Sequence, residues 1–213
     1  MIRLLVALAV LLAPAWTGAQ QGPRANGLFL IARPSLTDPN FARTVVLVTQ
    51  ADDASTVGVI VNRPTALRLP EILPGESDAA NYREPVFEGG PVMRQTLVAV
   101  FRAPAAPEAA AFHVLKDIYL SMHPANLRRL LADPGARYRL YTGFSGWAPG
   151  QLQSEFKRDG WHVLNADEEA VFRKSPDGLW EELLERATRR GPRAQSSDVQ
   201  SSSWPSPGAC CCC

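Results

Sequence analysis

Residues 44–65 carry the sequence TVVLVTQADDASTVGVIVNRPT, in which two β-branched runs flank Asp52 and Asp53. The runs Thr44–Thr49 and Thr56–Val61 are apolar along most of their length rather than alternating, which is typical of strands buried on both faces. The short polar segment between them is a turn signal. The stretch therefore predicts two adjacent strands, joined like a hairpin and buried on both faces.

Short apolar runs and short helical segments alternate on either side of this hairpin, over residues 26–190. Further strands are predicted at Leu28–Ile31, Pro85–Phe87, Thr96–Phe101, Arg137–Tyr141 and Trp161–Leu164. The run at 137–141 alternates like a half-exposed strand. Helices are predicted from Pro124, from Pro149 and over Leu179–Arg186, since proline suits the first helical position and leucines recur at helical spacing. This mixture predicts a single α/β or α+β domain.

The composition is that of an ordinary globular protein. The 213 residues are 46% hydrophobic and 20% charged, with a formal net charge of +1, which excludes a wholly disordered, collagen-like or multi-span membrane chain. This charge balance supplies little attraction for phosphate backbones, and the sequence has no helix-turn-helix pattern with a basic second helix. We therefore expect no direct nucleic-acid binding.

The first nineteen residues have the pattern of an export signal. Arg3 is their one charge, Leu4–Ala13 is an unbroken apolar run, and Thr17-Gly18-Ala19 offers small residues where a signal peptidase cleaves. The apolar run is shorter than the roughly 20 residues that span a bilayer, so we expect no stable membrane span. The pattern predicts cleavage near Ala19 and a periplasmic or secreted protein. An uncleaved anchor and a misplaced start codon are the alternatives.

All four cysteines are the last four residues, Cys210–Cys213. The body between Gln20 and Ala209 has none, so neither a disulfide nor a zinc–thiolate site can form within it. Residues 191–213 are rich in Ser and Pro and predict a disordered tail, which leaves residues 20–190 as the folded domain. The cysteines suit either intermolecular disulfides and soft-metal capture or a low-complexity terminus without a role.

Four turn motifs lie between the predicted strands and helices of the domain. RPSLTDPNFAR at 33–43 holds two prolines that keep the preceding residues extended, and Asp38 can accept backbone N–H groups in an Asx turn. NRPT at 62–65 ends a buried strand, and EGGP at 88–91 places two glycines where another backbone or a ligand can come close. GFSGWAPGQL at 143–152 predicts a strand-to-helix turn whose backbone N–H groups can hold an anion.

These motifs, in this order, resemble those of the YqgE/AlgH (UPF0301) proteins of bacteria, over about residues 26–188. The resemblance rests on GLFLIARP with DPNF and RTVV, then on GVIVNRPT, GGPV and GWAPGQL. The family's closing segment has similar residues at the positions of Trp161, Asp167, Phe172 and Trp180. The chain departs from the family pattern at Arg33, where a Met is usual, and at Ala148, where a Gly is common.

The resemblance implies a compact α/β domain with a branched, mixed β-sheet flanked by short helices. Some family members are called transcriptional regulators of exopolysaccharide (alginate) production, and no reaction or ligand is settled for the family. Most members lack an export signal. The leader therefore favours a role outside the cytoplasm, with a cytoplasmic location, as for most of the family, as the alternative.

Residues with catalytic potential form no convincing constellation. Ser145 stands in Gly-x-Ser-Gly-Trp, close to but different from the Gly-x-Ser-x-Gly of a nucleophile elbow. His113, His123 and His162 are too far apart for metal-ligand spacing. We therefore predict a protein that is not an enzyme and uses no metal or cofactor, with a hydrolase acting through Ser145 as an alternative.

Polar residues beside tight turns predict one binding hollow. The candidate ligand-binding residues are Asp38, Arg43, Asn62, Arg63, Gly89, Gly90, Trp147, Gln151 and Glu155. We expect the two glycines to form the floor of the hollow, the tryptophan its wall, and Arg43 and Arg63 to meet an anionic group. Gln151 and Glu155 are one helical turn apart and can face the same cleft.

An ion-pair and turn-capping network that only fixes the fold would use the same residues, because buried polar groups must pair with one another or with the backbone. The favoured hypothesis is an exported, non-catalytic binding or regulatory protein. Its partner is a small anionic ligand or another protein. A cytosolic regulator of exopolysaccharide transcription and the Ser145 hydrolase are the alternative functions.

Overall fold

A computed structural model describes residues 27–189, and a nine-stranded β-sheet forms its centre. The strands are β1 (Leu28–Ala32), β2 (Val45–Gln50), β3 (Thr56–Ile60), β4 (Phe87–Glu88), β5 (Val92–Arg102), β6 (Phe112–Leu115), β7 (Ile118–Ser121), β8 (Tyr138–Trp147) and β9 (Trp161–Asn165). Eight of them lie in the order β6-β7-β5-β8-β3-β2-β1-β9. The predicted signal peptide, residues 1–19, and the predicted tail, residues 191–213, lie outside the described residues.

The sheet is mixed and branches at β8. This strand pairs antiparallel with β5 and with β3, and it pairs in parallel with the two-residue strand β4. β2 and β3 form the predicted hairpin, with Val46 opposite Ile60, and every residue of β3 is buried. The α/β domain with a branched, mixed sheet is therefore confirmed.

Five α-helices flank the sheet in the described part of the chain. They are α1 (Leu69–Ile72), α2 (Pro124–Ala132), α3 (Gln151–Lys157), α4 (Glu168–Val171) and α5 (Leu179–Arg189), and a 3-10 turn spans Ser77–Asn81. α2, α3 and α5 confirm the three predicted helices. α1 and α4 have four residues each, too few for a helical period to show in the sequence. Between residues 27 and 189, none of the helices has both the length and the apolarity to cross a bilayer.

Apolar side chains pack on both faces of the sheet, and β1 shows how they divide. Phe29 and Ile31 point into a core closed by α4 and α5. Leu30 points to the other face, where it packs with Trp147 of β8 and Leu152 of α3. Successive residues of a strand face opposite sides, so β1 is buried throughout because both sides of it are covered.

β8 runs through a segment expected to form a turn. Residues 143–147 of the predicted strand-to-helix turn are strand, and only residues 148–150 connect β8 to α3. The prediction was wrong because Gly143, at a φ of +68°, occupies the left-handed region inside the strand. A glycine can do this without steric cost, so the glycine marks an irregularity of the strand rather than its end.

Within the segment 137–141, predicted to alternate as a half-exposed strand, residues 139–141 are buried in a row, whereas Arg137 is exposed. Arg139 is 2% exposed, and its guanidinium donates to the carbonyl oxygens of Val171 and Arg173 at 3.0 and 2.7 Å. It also donates to a Glu84 carboxylate oxygen at 3.2 Å. These partners come from distant parts of the chain, so local alternation does not reveal that this arginine lies inside.

β6 and β7 lie in a segment for which no element is predicted. They pair antiparallel with each other, and β7 continues the sheet to β5. β6 also approaches β1 and β2, because the Gly27 N–H donates to the Val114 carbonyl oxygen at 2.8 Å and the Thr49 hydroxyl to the His113 carbonyl oxygen at 2.9 Å. The sheet therefore curls, and its β6 edge meets the beginning of β1 and the end of β2.

Candidate functional site

The segment between β1 and β2, residues 33–44, contains the first turn motif, and we call it the β1–β2 loop. Asp38 Oδ1 accepts hydrogen bonds from the backbone N–H and the side-chain amide of Asn40, at 2.8 and 3.0 Å. The Asp38 carbonyl oxygen accepts the Phe41 N–H at 2.9 Å. The predicted Asx turn is confirmed, and it directs Asn40 and Phe41 toward different partners.

Asn40 is held by Arg63, which follows β3, and by Arg94 of β5; we call these two residues the arginine pair. Arg63 Nη1 donates to the Asn40 carbonyl oxygen at 3.0 Å, and Arg94 Nη2 donates to Asn40 Oδ1 at 3.1 Å. Both guanidinium groups also face Glu88, at nearest N–O distances of 3.7 and 3.6 Å. These distances exceed the roughly 2.7–2.9 Å of a charge-assisted hydrogen bond. The arginine pair therefore holds one carboxylate only loosely.

Asn62 and Arg43 fix the end of the β1–β2 loop. Asn62 Oδ1 accepts the Val45 N–H at 2.8 Å, and Asn62 Nδ2 donates to the Arg43 carbonyl oxygen at 3.0 Å. The Arg43 side chain forms an ion pair with Glu181, and its guanidinium lies 4.5 Å from the ring centroid of Trp180. Arg43 therefore faces α5, and the structure does not bring its guanidinium to the arginine pair.

On the other side of the loop a cleft of about 260 Å³ opens toward α3, and we call it the aromatic cleft. Its lining residues are Leu36, Asp38, Phe41, Glu155, Arg158, Gly160 and Trp161. Glu155 Oε2 accepts the indole N–H groups of Trp147 and Trp161 at 3.1 and 2.9 Å, and Glu155 Oε1 accepts from Gln151 at 3.3 Å. The Phe41 ring stacks on Trp147 and meets Trp161 edge-on. Gln151 and Glu155 therefore contact each other, as their spacing predicts.

Gly89 and Gly90 lie buried where β4 meets β8, and we call this contact the β4–β8 junction. A Cβ atom on Gly89 would lie 2.3 Å from the Gly143 carbonyl oxygen, and one on Gly90 would lie 2.4 Å from Ser145 Oγ. Ser145 Oγ is fully buried and donates to the Gly89 carbonyl oxygen at 3.1 Å. The two glycines, expected to form the floor of a binding hollow, lie here against β8 and make room for it.

The candidate residues thus divide between two groups, the arginine pair and the aromatic cleft, instead of lining one hollow. Asp38 and Glu155 line the aromatic cleft, and Trp147 and Gln151 contact Glu155. Arg63 belongs to the arginine pair. Asn40 and Glu88 lie inside two of the turn motifs, so the sequence did carry a signal for them. No sequence signal pointed to Arg94, because its position depends on the irregular pairing of β5 with β8 between Val92 and Leu97.

The beginning of the loop is tied to the connection between α3 and β9. Arg33 donates to Asp159 at 2.8 Å, and its side chain is 23% exposed. Burial lowers the pKa of His162 in β9, the positive charge of Arg33 lowers it further, and Asp159 opposes this shift. Arg33, where the chain departs from the family pattern, therefore forms an ion pair with Asp159, whose side chain is exposed.

The described residues offer little that is suited to a metal. Within residues 27–189, no three His, Cys, Asp or Glu side chains are grouped in a way that could bind a metal ion. His123 caps α2 by accepting the Ala125 N–H at its Nδ1. The His113 ring stacks on Tyr119, with 4.9 Å between the centroids. These contacts of His113 and His123 stabilise local structure.

Comparison with known proteins gives consistent matches over this region. A sequence model of a family described as AlgH-like (DUF179) matches residues 29–190. A UPF0301 protein of Streptomyces avermitilis is 34% identical over 175 residues, which cover 80% of this chain and 90% of that protein. A UPF0301 protein of Mycobacterium tuberculosis is 35% identical over 172 residues, which cover 79% and 84%. The family match spans the β1–β2 loop, the arginine pair and the aromatic cleft.

Two solved structures are similar over most of their length. The solution structure of the AlgH protein from Pseudomonas aeruginosa has a TM-score of 0.63 and 25% identity, and the match covers 89% of this chain and 99% of that chain. A crystal structure of a Corynebacterium diphtheriae protein has a TM-score of 0.62 and 23% identity, with coverage of 78% and 88%. The likeness therefore concerns the domain as a whole and not one hairpin.

Proposed function

The chain belongs to the AlgH-like family, and from this premise we propose that it is an exported, non-catalytic binding protein that takes a small anionic ligand at the arginine pair. The family has no assigned biochemical activity, and the names of the relatives state none. The proposal therefore rests on the chain's own residues. The observation that carries it is that Arg63 and Arg94 flank the single carboxylate of Glu88 without a close ion pair.

The charges and donors of this group favour an anion with two or more oxygens. Two guanidinium groups and one carboxylate carry a net charge of +1, and each guanidinium has five N–H donors in a planar fork. Asn40 engages one terminal nitrogen of each arginine. This anchoring orients both forks before a ligand arrives, which lowers the entropic cost of binding a carboxylate or a phosphate.

The environment of Ser145 supports a role without catalysis. A serine nucleophile must be reached by substrate and must pass its proton to a base. Ser145 instead lies within β8, fully buried, and its hydroxyl donates to the Gly89 carbonyl oxygen. This geometry differs from the exposed strand-to-helix position of a nucleophile elbow, and it favours binding over the hydrolase alternative.

Titration of the purified domain with inorganic phosphate, pyrophosphate and citrate at constant ionic strength tests the anion site, with NMR of backbone and Arg side-chain N–H groups as readout. Arg63→Gln and Arg94→Gln are each expected to weaken binding about tenfold, since each removes charge-assisted hydrogen bonds. Arg128→Gln, at an exposed position of α2, is the matched control. Equal binding by wild type and by both variants would contradict the proposal. It would also be contradicted if chloride at the same concentration caused the same NMR chemical-shift changes.

Export rests on the leader pattern of Leu4–Ala13 followed by Thr17-Gly18-Ala19. Fractionation of cells that express the full chain, with sequencing of the protein's N-terminus, tests it. We expect the protein outside the cytoplasm, beginning at Gln20. Recovery of a chain that still begins at Met1 from the cytosol would remove export from the proposal, and would favour the cytosolic regulator instead.

A further inference from the structure

The aromatic cleft is a second site, chemically opposite to the arginine pair, and we infer that it binds an organic cation bearing an ammonium group. The cleft lies between the β1–β2 loop and α3, and neither Arg63 nor Arg94 lines it. Asn40 faces the arginine pair and the next residue, Phe41, lines the cleft. The inference therefore stands on its own observations and does not depend on the anion proposal.

The first observation is the charge of the lining. Asp38 and Glu155 contribute two carboxylates, and Arg158 contributes one guanidinium. Among residues 27–189, no Lys, Arg or His nitrogen lies within 4.0 Å of either carboxylate. Both accept hydrogen bonds from neutral donors only: Asn40 for Asp38, and two indoles and Gln151 for Glu155. The two carboxylates of the lining therefore outnumber its one guanidinium, and among the described residues neither carboxylate has an ion-pair partner within 4.0 Å.

The second observation is the aromatic wall. Phe41 and Trp161 line the cleft and meet edge to face, with 5.5 Å between the ring centroids. The face of an aromatic ring attracts a cation within about 6 Å of its centroid. Carboxylates together with aromatic side chains suit an alkylammonium better than a bare metal ion, since the alkyl part gains from contact with the rings. A metal ion would need more oxygen ligands than these two carboxylates supply.

The third observation is the size of the cleft. Its volume of about 260 Å³ lies just below the roughly 300–1,000 Å³ of pockets that hold drug-sized ligands. Gly160 has no side chain to fill this space, and a Cβ there would come within 3.9 Å of a Leu36 methyl group. The cleft therefore fits an ammonium headgroup with a few carbons, supplied either by a free small amine or by a lysine side chain of another protein.

The indole N–H groups of Trp147 and Trp161 provide the readout, because both donate to Glu155. The purified protein is titrated with n-butylammonium, with an acetylated and amidated Gly-Lys-Gly peptide, and with butyrate as the anionic counterpart of the amine. We expect at least one of the two ammonium probes to shift both indole signals, and butyrate to leave them in place. The probe that binds more tightly identifies the source of the cation. The inference is overturned if neither ammonium probe shifts them or if butyrate shifts them equally.

Variants separate recognition from packing. Glu155→Gln keeps an oxygen that can accept the indole N–H groups and removes the charge, so we expect about tenfold weaker ammonium binding. Glu108→Gln, exposed in the β5–β6 connection, is the matched control. If Glu155→Gln fails to fold, Asp38→Asn at the exposed turn gives the same test. Unchanged affinity in the folded variant overturns the inference, whereas Arg63→Gln and Arg94→Gln are expected to leave ammonium binding intact.

Discussion

The β4–β8 junction and the β1–β2 loop are both marked in the sequence by glycine- or proline-rich turn motifs, yet they are built in opposite ways. At the junction, backbone meets backbone so closely that a Cβ on Gly89 would lie 2.3 Å from the Gly143 carbonyl oxygen. Around the loop, side chains make the contacts, and the ion pairs to Glu88 are as long as 3.6 and 3.7 Å.

The difference separates positions that hold the fold from positions that are available to a ligand. A buried glycine packed against a neighbouring backbone leaves no space for a side chain and no group free to bind a ligand. A larger residue there would force the strands of the sheet to shift. A guanidinium that is partly exposed and loosely paired still has unused donors. Tight, buried contacts therefore identify structural residues, and loose contacts between partly exposed charges identify candidate binding residues.

The largest effect is expected at the junction. Gly89→Ala places a methyl group against the backbone of β8, and we expect it to lower the free energy of unfolding by about 3 kcal/mol, the upper part of the range for overpacking. Gly75→Ala is the matched control, because nothing lies within 4 Å of a Cβ at that position. Denaturant unfolding measures both. A loss for Gly89→Ala as small as that of the control would show that the junction is not tightly packed.

A smaller effect is expected for Ser145→Ala, which removes one buried hydrogen bond in the same junction. The Gly89 carbonyl oxygen keeps the hydrogen bond from the Ile60 N–H at 3.0 Å, so the expected loss in the free energy of unfolding is about 1 kcal/mol. The same variant tests catalysis. We expect wild type and Ser145→Ala to be equally inactive in a screen of ester substrates, and activity present only in wild type would favour the hydrolase.

The smallest effect on stability is expected at the loop side of the comparison. The double variant Arg63→Gln and Arg94→Gln removes two long ion pairs to Glu88 and two hydrogen bonds to Asn40. All of these join partly exposed groups, whose contacts water can replace, and such pairs contribute little. We expect the free energy of unfolding to change by no more than about 0.5 kcal/mol, measured by the same denaturant unfolding. If the free energy of unfolding fell as much as it does for Gly89→Ala, the arginine pair would be structural, and the proposal that it binds a ligand would be contradicted.

The sequence predicted well what depends on local pattern. The β2–β3 hairpin follows from two uninterrupted β-branched runs, and the Asx turn at Asp38 follows from the short reach of an aspartate side chain to the N–H two residues on. α2 and α5 follow from leucine spacing and, for α2, from Pro124 at the first helical position. The contact between Gln151 and Glu155 follows from helical geometry alone.

The errors share a different cause. Alternation at 137–141 suggested a half-exposed strand, but the carbonyl oxygens of Val171, the last residue of α4, and of Arg173 accept hydrogen bonds from Arg139 inside the folded chain. Glycines in a motif suggested a turn at Gly143, but the neighbouring β4 and β5 hold it inside a strand. In both cases a partner that is remote in sequence overrides the local preference, as tertiary context commonly does.

By itself, the sequence determined most of the strands and the three longer helices, the hairpin, the turn at Asp38 and the family resemblance, because each depends on residues a few positions apart. Only the tertiary structure decided that the candidate residues divide between the arginine pair and the aromatic cleft. β8, which pairs with β3, β4 and β5 at once, brings Arg94 beside Arg63 and places Trp147 beside Glu155. Side chains from separate strands and loops come into contact only when the register of the sheet is fixed. The hydrophobic periodicity of a single segment does not specify that register with respect to distant strands.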